Sequence, residues 1–213
     1  MNKAQKKIVA EAKKVVTKLL KNSVPPIFSF HNVAHTQDVA KAAQLIEEYY
    51  QLSDEDRFIV FIAAWFHDTG FSTGAAEGHE QESVRLVTAF LQQHNTDAEV
   101  IHQVAACIQA TRLPQAPLTI LEKIICDADL YHLGTGKFKI WSARLRRELK
   151  HSDKAGNTEE EWRQADIDLL ISHNYHTEFC QQQLEPVKQG WVKKLQQKQI
   201  ASKVDTFVNP HLK

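Results

Sequence analysis

The stretch Phe58-Ile59-Val60-Phe61-Ile62-Ala63-Ala64-Trp65-Phe66-His67-Asp68 decides how this chain is read. Its first nine residues are the most apolar run of the sequence, and the run closes on an imidazole and a carboxylate. Burying such a pair at the end of a core helix is expensive unless both groups are matched, and one bound cation matches both. The pair therefore asks for a metal. Two further donors lie far away along the chain: His35, in His31-Asn32-Val33-Ala34-His35-Thr36-Gln37-Asp38-Val39, and Asp129, in Cys126-Asp127-Ala128-Asp129-Leu130.

Outward from that run, helical periodicity dominates and the alternating valine-rich segments that mark strands are missing, which predicts an all-α chain. Ser53-Asp54-Glu55-Asp56 predicts the start of the helix that carries the run and ends around His67 and Asp68. Upstream, residues from about 3 to 21 form a basic amphipathic helix stopped by Val24-Pro25-Pro26. Its lysine face reads as solvated, in preference to the alternative of a membrane or nucleic-acid surface. Asn32 is a good N-cap for a second helix reaching about Tyr50.

The segment Thr69 to Gly78 holds three of the seven glycines and fits either a loop beside the site or a plain surface connection. Further helices are predicted at about 79–94, 97–111, 118–132, 137–150, 158–172 and 177–199, with Thr158 and Glu161 forming a capping box. The polar stretch 151–157 separates two of them, and the last dozen residues should fray.

A chain of 213 residues suits one domain with a sizeable core, so residues 1–213 are expected to form a single unit. The 26 basic and 26 acidic side chains cancel, so no overall field favours nucleic acid or an anionic membrane, and any attraction for phosphate must be local. Cys107, Cys126 and Cys180 show no CxxC pair or disulfide framework and read as reduced core residues. Lysines interrupt the apolar positions of the first twenty residues, which argues against a signal peptide or membrane span and for a cytoplasmic protein.

Taken as one ordered set, His35, His67, Asp68 and Asp129 resemble the H…HD…D signature of the HD superfamily of metal-dependent phosphohydrolases. The surrounding words agree: Ala64-Trp65-Phe66-His67-Asp68, His79-Glu80-Gln81-Glu82-Ser83, Ala110-Thr111-Arg112 and Asp127-Ala128-Asp129-Leu130-Tyr131-His132-Leu133-Gly134. They are similar to a bacterial branch of predicted HD phosphohydrolases. The resemblance implies a helical bundle with its motif core at about 31–134 and additional helices from about 137 to 200. It also implies that the four residues hold one divalent ion, of manganese, magnesium, iron, cobalt, nickel or zinc. Two imidazoles and two carboxylates without thiolate suit such ions and leave positions open for water and phosphate.

Asp127 competes with Asp129, because two helical positions differ by about 200° and both cannot face one ion. Apolar periodicity does not choose between them; the resemblance selects Asp129 and leaves Asp127 supporting the site or on the surface. His31-Asn32-x-x-His35-x-x-Asp38-Val39 is also similar to the corresponding word of cyclic-nucleotide phosphodiesterases, which makes His31 a candidate general acid. The alternative is that His31 packs the helix start. Asp38 could orient the His35 imidazole or be solvated.

His79 and Glu80 follow the glycine-rich segment and are expected near the cleft, with His79 a second candidate proton donor. His102 and His132 are candidates for a further ion, but Ile108-Gln109-Ala110-Thr111 lacks the histidine expected of a larger cluster, which favours one ion. His94, His151, His173, His176 and His211 sit in polar contexts and carry no assignment. For phosphate, Arg112 and Lys137 are preferred over Arg144, Arg146 and Arg147, and Arg147 could pair with Glu148.

The expected activity is hydrolysis of a phosphoester in a nucleotide or other small phosphorylated metabolite. Asp68 orients the attacking water, and His31 or His79 supplies a proton to the departing oxygen. Two rivals remain: a cyclic-nucleotide phosphodiesterase, and a sensor module that binds nucleotide without turning it over.

Overall fold

A computed structural model describes residues 1–150 and 158–208, the last six by their backbone alone. Residues 151–157, with His151, and 209–213, with His211, lie outside the described residues. Ten α-helices and no strand occur among the described residues: α1 (Lys3–Ser23), α2 (Val33–Tyr50), α3 (Asp54–Phe66), α4 (His79–Gln93), α5 (Ala98–Ala110), α6 (Ile120–Asp129), α7 (Phe138–Leu149), α8 (Glu159–Ser172), α9 (Glu178–Gln183) and α10 (Glu185–Val208). Short 3-10 turns cover Thr69–Thr73 and Tyr131–Gly134.

The caps follow from short polar side chains at the helix starts. Asn32 accepts from the backbone of Ala34 and His35, Ser53 from Asp56, and Thr158 forms a reciprocal box with Glu161. One predicted helix, 177–199, is two. Pro186 has no N–H to donate back into the preceding turn, so the chain breaks at Leu184 and restarts as α10, which then runs on to Val208. The helix expected to reach 132 ends at Asp129 and tightens into the 131–134 turn.

Helix α3 lies at the centre, packed by α1, α2, α4, α5 and α6. That explains its composition, since a helix with neighbours on every side has no face for polar residues. Phe58, Ile59, Val60, Ile62, Ala63, Ala64, Trp65 and Phe66 are all buried. A satellite cluster of Leu133, Phe138, Leu170 and Val192 ties α7, α8 and α10 to the 131–134 turn. The three cysteines are buried and free. No helix among the described residues is long and apolar enough to cross a membrane.

Candidate metal centre

The end of α3 places the first two donors. The His67 N–H closes the last turn on the Ala63 carbonyl at 2.9 Å, and Asp68 leaves the helix at φ −104°, ψ 7°, in the sparsely populated bridge region. His67 Nδ1 donates to the Ala64 carbonyl at 2.9 Å, which fixes the tautomer and leaves the Nε2 lone pair for the site. His35 comes from the first turn of α2, its ring lodged against Phe30, His67 and Trp141. Asp129 is the last residue of α6, where the helix gives way to the 131–134 turn.

Nitrogen and oxygen alternate around these four. His35 Nε2 lies 3.0 Å from Asp129 Oδ1 and 3.5 Å from Asp68 Oδ2; His67 Nε2 lies 3.1 Å from Asp68 Oδ2 and 3.5 Å from Asp129 Oδ1. Adjacent donors on an octahedral ion with bonds of about 2.1 Å stand about 3 Å apart, so the spacing suits a small divalent ion. Although 3.1 Å apart, His67 Nε2 and Asp68 Oδ2 are not aligned as a hydrogen bond, and both are buried without a hydrogen-bond partner. A cation at the convergence point would satisfy both atoms, and two carboxylates with two neutral imidazoles would balance a dication.

Protons compete for the same charge. Burial works against a charged His67, yet Asp68 and Asp129 outweigh it and hold the pKa well above the usual imidazole value. Burial likewise works to raise Asp129, but the bond from His35 and the neighbouring His67 imidazole hold it well below the carboxylate range.

A cleft of about 580 Å³ opens on this centre and brings together His31, Asp68, His79, Arg112, Asp129 and His132. His31 Nδ1 stands 2.5 Å from Glu148 Oε1, while Glu148 Oε2 accepts from the backbone N–H of Phe30 at 2.8 Å and of His31 at 3.2 Å. The ring stacks on Phe71 with centroids 4.0 Å apart. Burial opposes a charge on His31, but Asp68 and then Glu148 prevail and raise its pKa. His79 Nε2 is 3.7 Å from Asp68 Oδ1, and its Nδ1 is 2.8 Å from the Ala76 carbonyl. Gly70 makes this approach possible: a Cβ there would stand 2.0 Å from the His79 carbonyl oxygen. Glu80 lines the same cleft.

Other sequence-predicted residues are placed differently. Asp127 is no surface carboxylate: it is wholly buried and accepts from His176 N and Thr177 N, each at 2.8 Å, and from Thr177 Oγ1 at 2.5 Å. Lys137 lines a neighbouring cavity of about 260 Å³, which shares His35, Asp129 and His132 with the centre, and its Nζ pairs with Asp38 Oδ2 at 2.8 Å. Asp38 thus engages Lys137, the residue just before α7. Arg144 lies over the Trp141 ring, and Arg146 pairs with Glu159. Glu148 turns to His31, whereas local sequence suggested Arg147.

His102 is exposed on α5, away from both cavities. His132 is pushed down to about 3, by burial and then by His35, and is neutral. His173 is buried and structural: the Lys188 ammonium donates to its carbonyl, and burial followed by Lys188 lowers its pKa to about 4. His94 packs on Phe90 and His176 reaches Gln115. Glu148 is the site residue that sequence reasoning missed.

Comparison with known proteins gives a consistent picture. The HD domain family model matches residues 32–134, which contain all four converging donors. No curated protein matches the chain. Among solved structures, the chain is similar to the Lin1889 protein of Listeria innocua, with a TM-score of 0.61 and 20% identity over 92% of this chain and 96% of that one. It is likewise similar to a predicted HD superfamily hydrolase from an uncultured Thermotogales bacterium, with a TM-score of 0.59 and 20% identity over 91% of each chain. At that identity the two structures speak for the fold.

Proposed function

The chain is an HD-domain protein, and from that premise we propose that it hydrolyses a phosphoester of a nucleotide or another small phosphorylated metabolite, using one divalent ion held by His35, His67, Asp68 and Asp129. The observation that carries this reading is the convergence of four donors, three of them buried and Asp129 partly exposed, beside a cleft that also holds His31 and Arg112. A divalent ion bound there lowers the pKa of water and polarises a phosphoryl oxygen.

The chain's own groups supply the rest. Asp68 would help hold the ion, and its Oδ1, beside His79, is the oxygen that would receive the proton of the attacking water. As the water oxygen bonds to phosphorus, the bond from phosphorus to the alcohol oxygen breaks, and His31 gives that oxygen a proton. Glu148 fixes Nδ1 and so turns the other ring nitrogen to this task. The Arg112 side chain, exposed at the cleft, binds the phosphoryl oxygens as a fork. Lys137, set beside the neighbouring cavity, serves substrate charge only by exchanging Asp38 for it.

The test is phosphate release by metal-stripped protein supplied with each candidate ion. Mononucleotides, triphosphates, cyclic nucleotides and generic phosphoesters are the substrates, and metal content is measured alongside. Turnover that depends on one or more ions supports the reading. Binding without turnover under every ion would make the protein a receptor.

A further inference from the structure

The metal cleft has a second character that the hydrolytic groups do not use. Leu113, Leu130, Leu145 and Leu169 enter it from four separate segments: the connection after α5, the residue after α6, α7 and α8. Leu113 is 64% exposed, and the other three are partly exposed. Leu113 and Leu145 belong to neither buried cluster, while Leu130 and Leu169 sit at the edge of the satellite one. Single exposed leucines are ordinary, but four meeting in one concavity beside a candidate reaction centre form an apolar wall. Leu113, Leu130 and Leu169 also border an adjoining recess of about 230 Å³, so the apolar surface continues beyond the cleft.

A ligand fitting both parts has an anionic end for the ion and Arg112 and an apolar body for the leucines. We propose that the alcohol released from the substrate carries an apolar or aromatic group at least the size of a six-membered ring, and that Leu113, Leu130, Leu145 and Leu169 receive it. This rests on the phosphohydrolase reading above. Leucines offer no hydrogen bonds, so a sugar's hydroxyl groups pressed against them would be buried unsatisfied, whereas a flat ring buries area at no such cost. His31 beside the same cleft suits an alcohol of this kind, because a non-acidic alkoxide needs a proton to depart.

Benzyl phosphate and glycerol phosphate release alcohols of similar acidity and differ mainly in polarity, which isolates the wall from the chemistry. With metal-loaded protein, kcat/KM for benzyl phosphate should exceed that for glycerol phosphate roughly 30-fold, the worth of half-burying a ring. In calorimetry, benzylphosphonate should bind about as many times more tightly than methylphosphonate. Leu113→Asn and Leu145→Asn alter residues outside the buried clusters and should narrow both ratios to about threefold or less, at unchanged metal content. Equal kcat/KM for the two esters, or ratios that survive both substitutions, would overturn the leucine assignment and leave the hydrolase standing. Failure to turn over any phosphoester with any ion would overturn the hydrolase reading, and this one with it.

Discussion

Asp129 ends α6 with its carboxylate 3.0 Å from His35 Nε2, while Asp127, on another side of the same helix, accepts three hydrogen bonds from His176 and Thr177. Asp129→Ala should therefore abolish stoichiometric metal binding. Asp127→Ala should keep the metal and lose about 1–3 kcal/mol of stability, the cost of donors left unsatisfied; urea unfolding and metal analysis separate the two, and the opposite pattern would exchange their roles. The histidines add a pH dependence. Because Asp68 and Asp129 hold the His67 pKa well above the usual imidazole value in the ion-free protein, and a ligating imidazole must be neutral, metal affinity should fall as pH drops below that raised value, with proton uptake on metal release. Calorimetry in buffers of different ionisation enthalpy checks this; pH-independent affinity would contradict it. His31→Ala should cost about 10²-fold in turnover of an alkyl phosphoester and far less with a nitrophenyl ester. Glu148→Gln removes a charge that raises the His31 pKa, so the alkaline limb of the pH–rate profile should move to lower pH. His67 and Asp68 were legible because polar groups closing an apolar run need an explanation. Glu148 was not, since its partners Phe30 and His31 lie more than a hundred residues away and a neighbouring arginine offered a local one.

The helices were legible where a short polar side chain caps them, as at Asn32, Ser53 and Thr158. They were less so where a backbone constraint decides, as at Pro186, whose missing N–H splits a continuous apolar periodicity into α9 and α10. The glycine-rich segment was ambiguous for a related reason. Composition marks a turn but not what approaches it, and the structure packs the start of α4 directly on Gly70, whose N–H also bonds Ser83 Oγ at 2.8 Å. Gly70→Ala should push His79 and Glu80 away from the cleft, lowering stability by about 1–3 kcal/mol and reducing turnover while the metal stays bound. Thermal unfolding and kcat on the same preparation measure both; wild-type values for both would show that the approach is not tight in solution.

The molecule as a whole buries one apolar helix among five neighbours and uses the end of that helix, where the apolar run stops, to hold charge. The cleft draws on residues from 30 to 169, so the helices after the HD-matching segment complete it with Leu145 and Leu169 and hold His31 through Glu148. That assembly was hidden from the sequence, in which the motif words stop at Gly134. With equal numbers of acidic and basic residues there is no overall field to draw in a phosphorylated substrate, so in the proposed function that attraction falls to the ion and to Arg112. Activity should accordingly depend on the metal more steeply than on ionic strength. The most direct test is phosphate release from a nitrophenyl phosphoester by metal-stripped protein as a divalent ion is titrated back, run beside Asp129→Ala. The account predicts no turnover before the ion is added, saturation near one ion per chain for the wild type, and no recovery for the variant. Turnover without any ion, or equal recovery in Asp129→Ala, would contradict it.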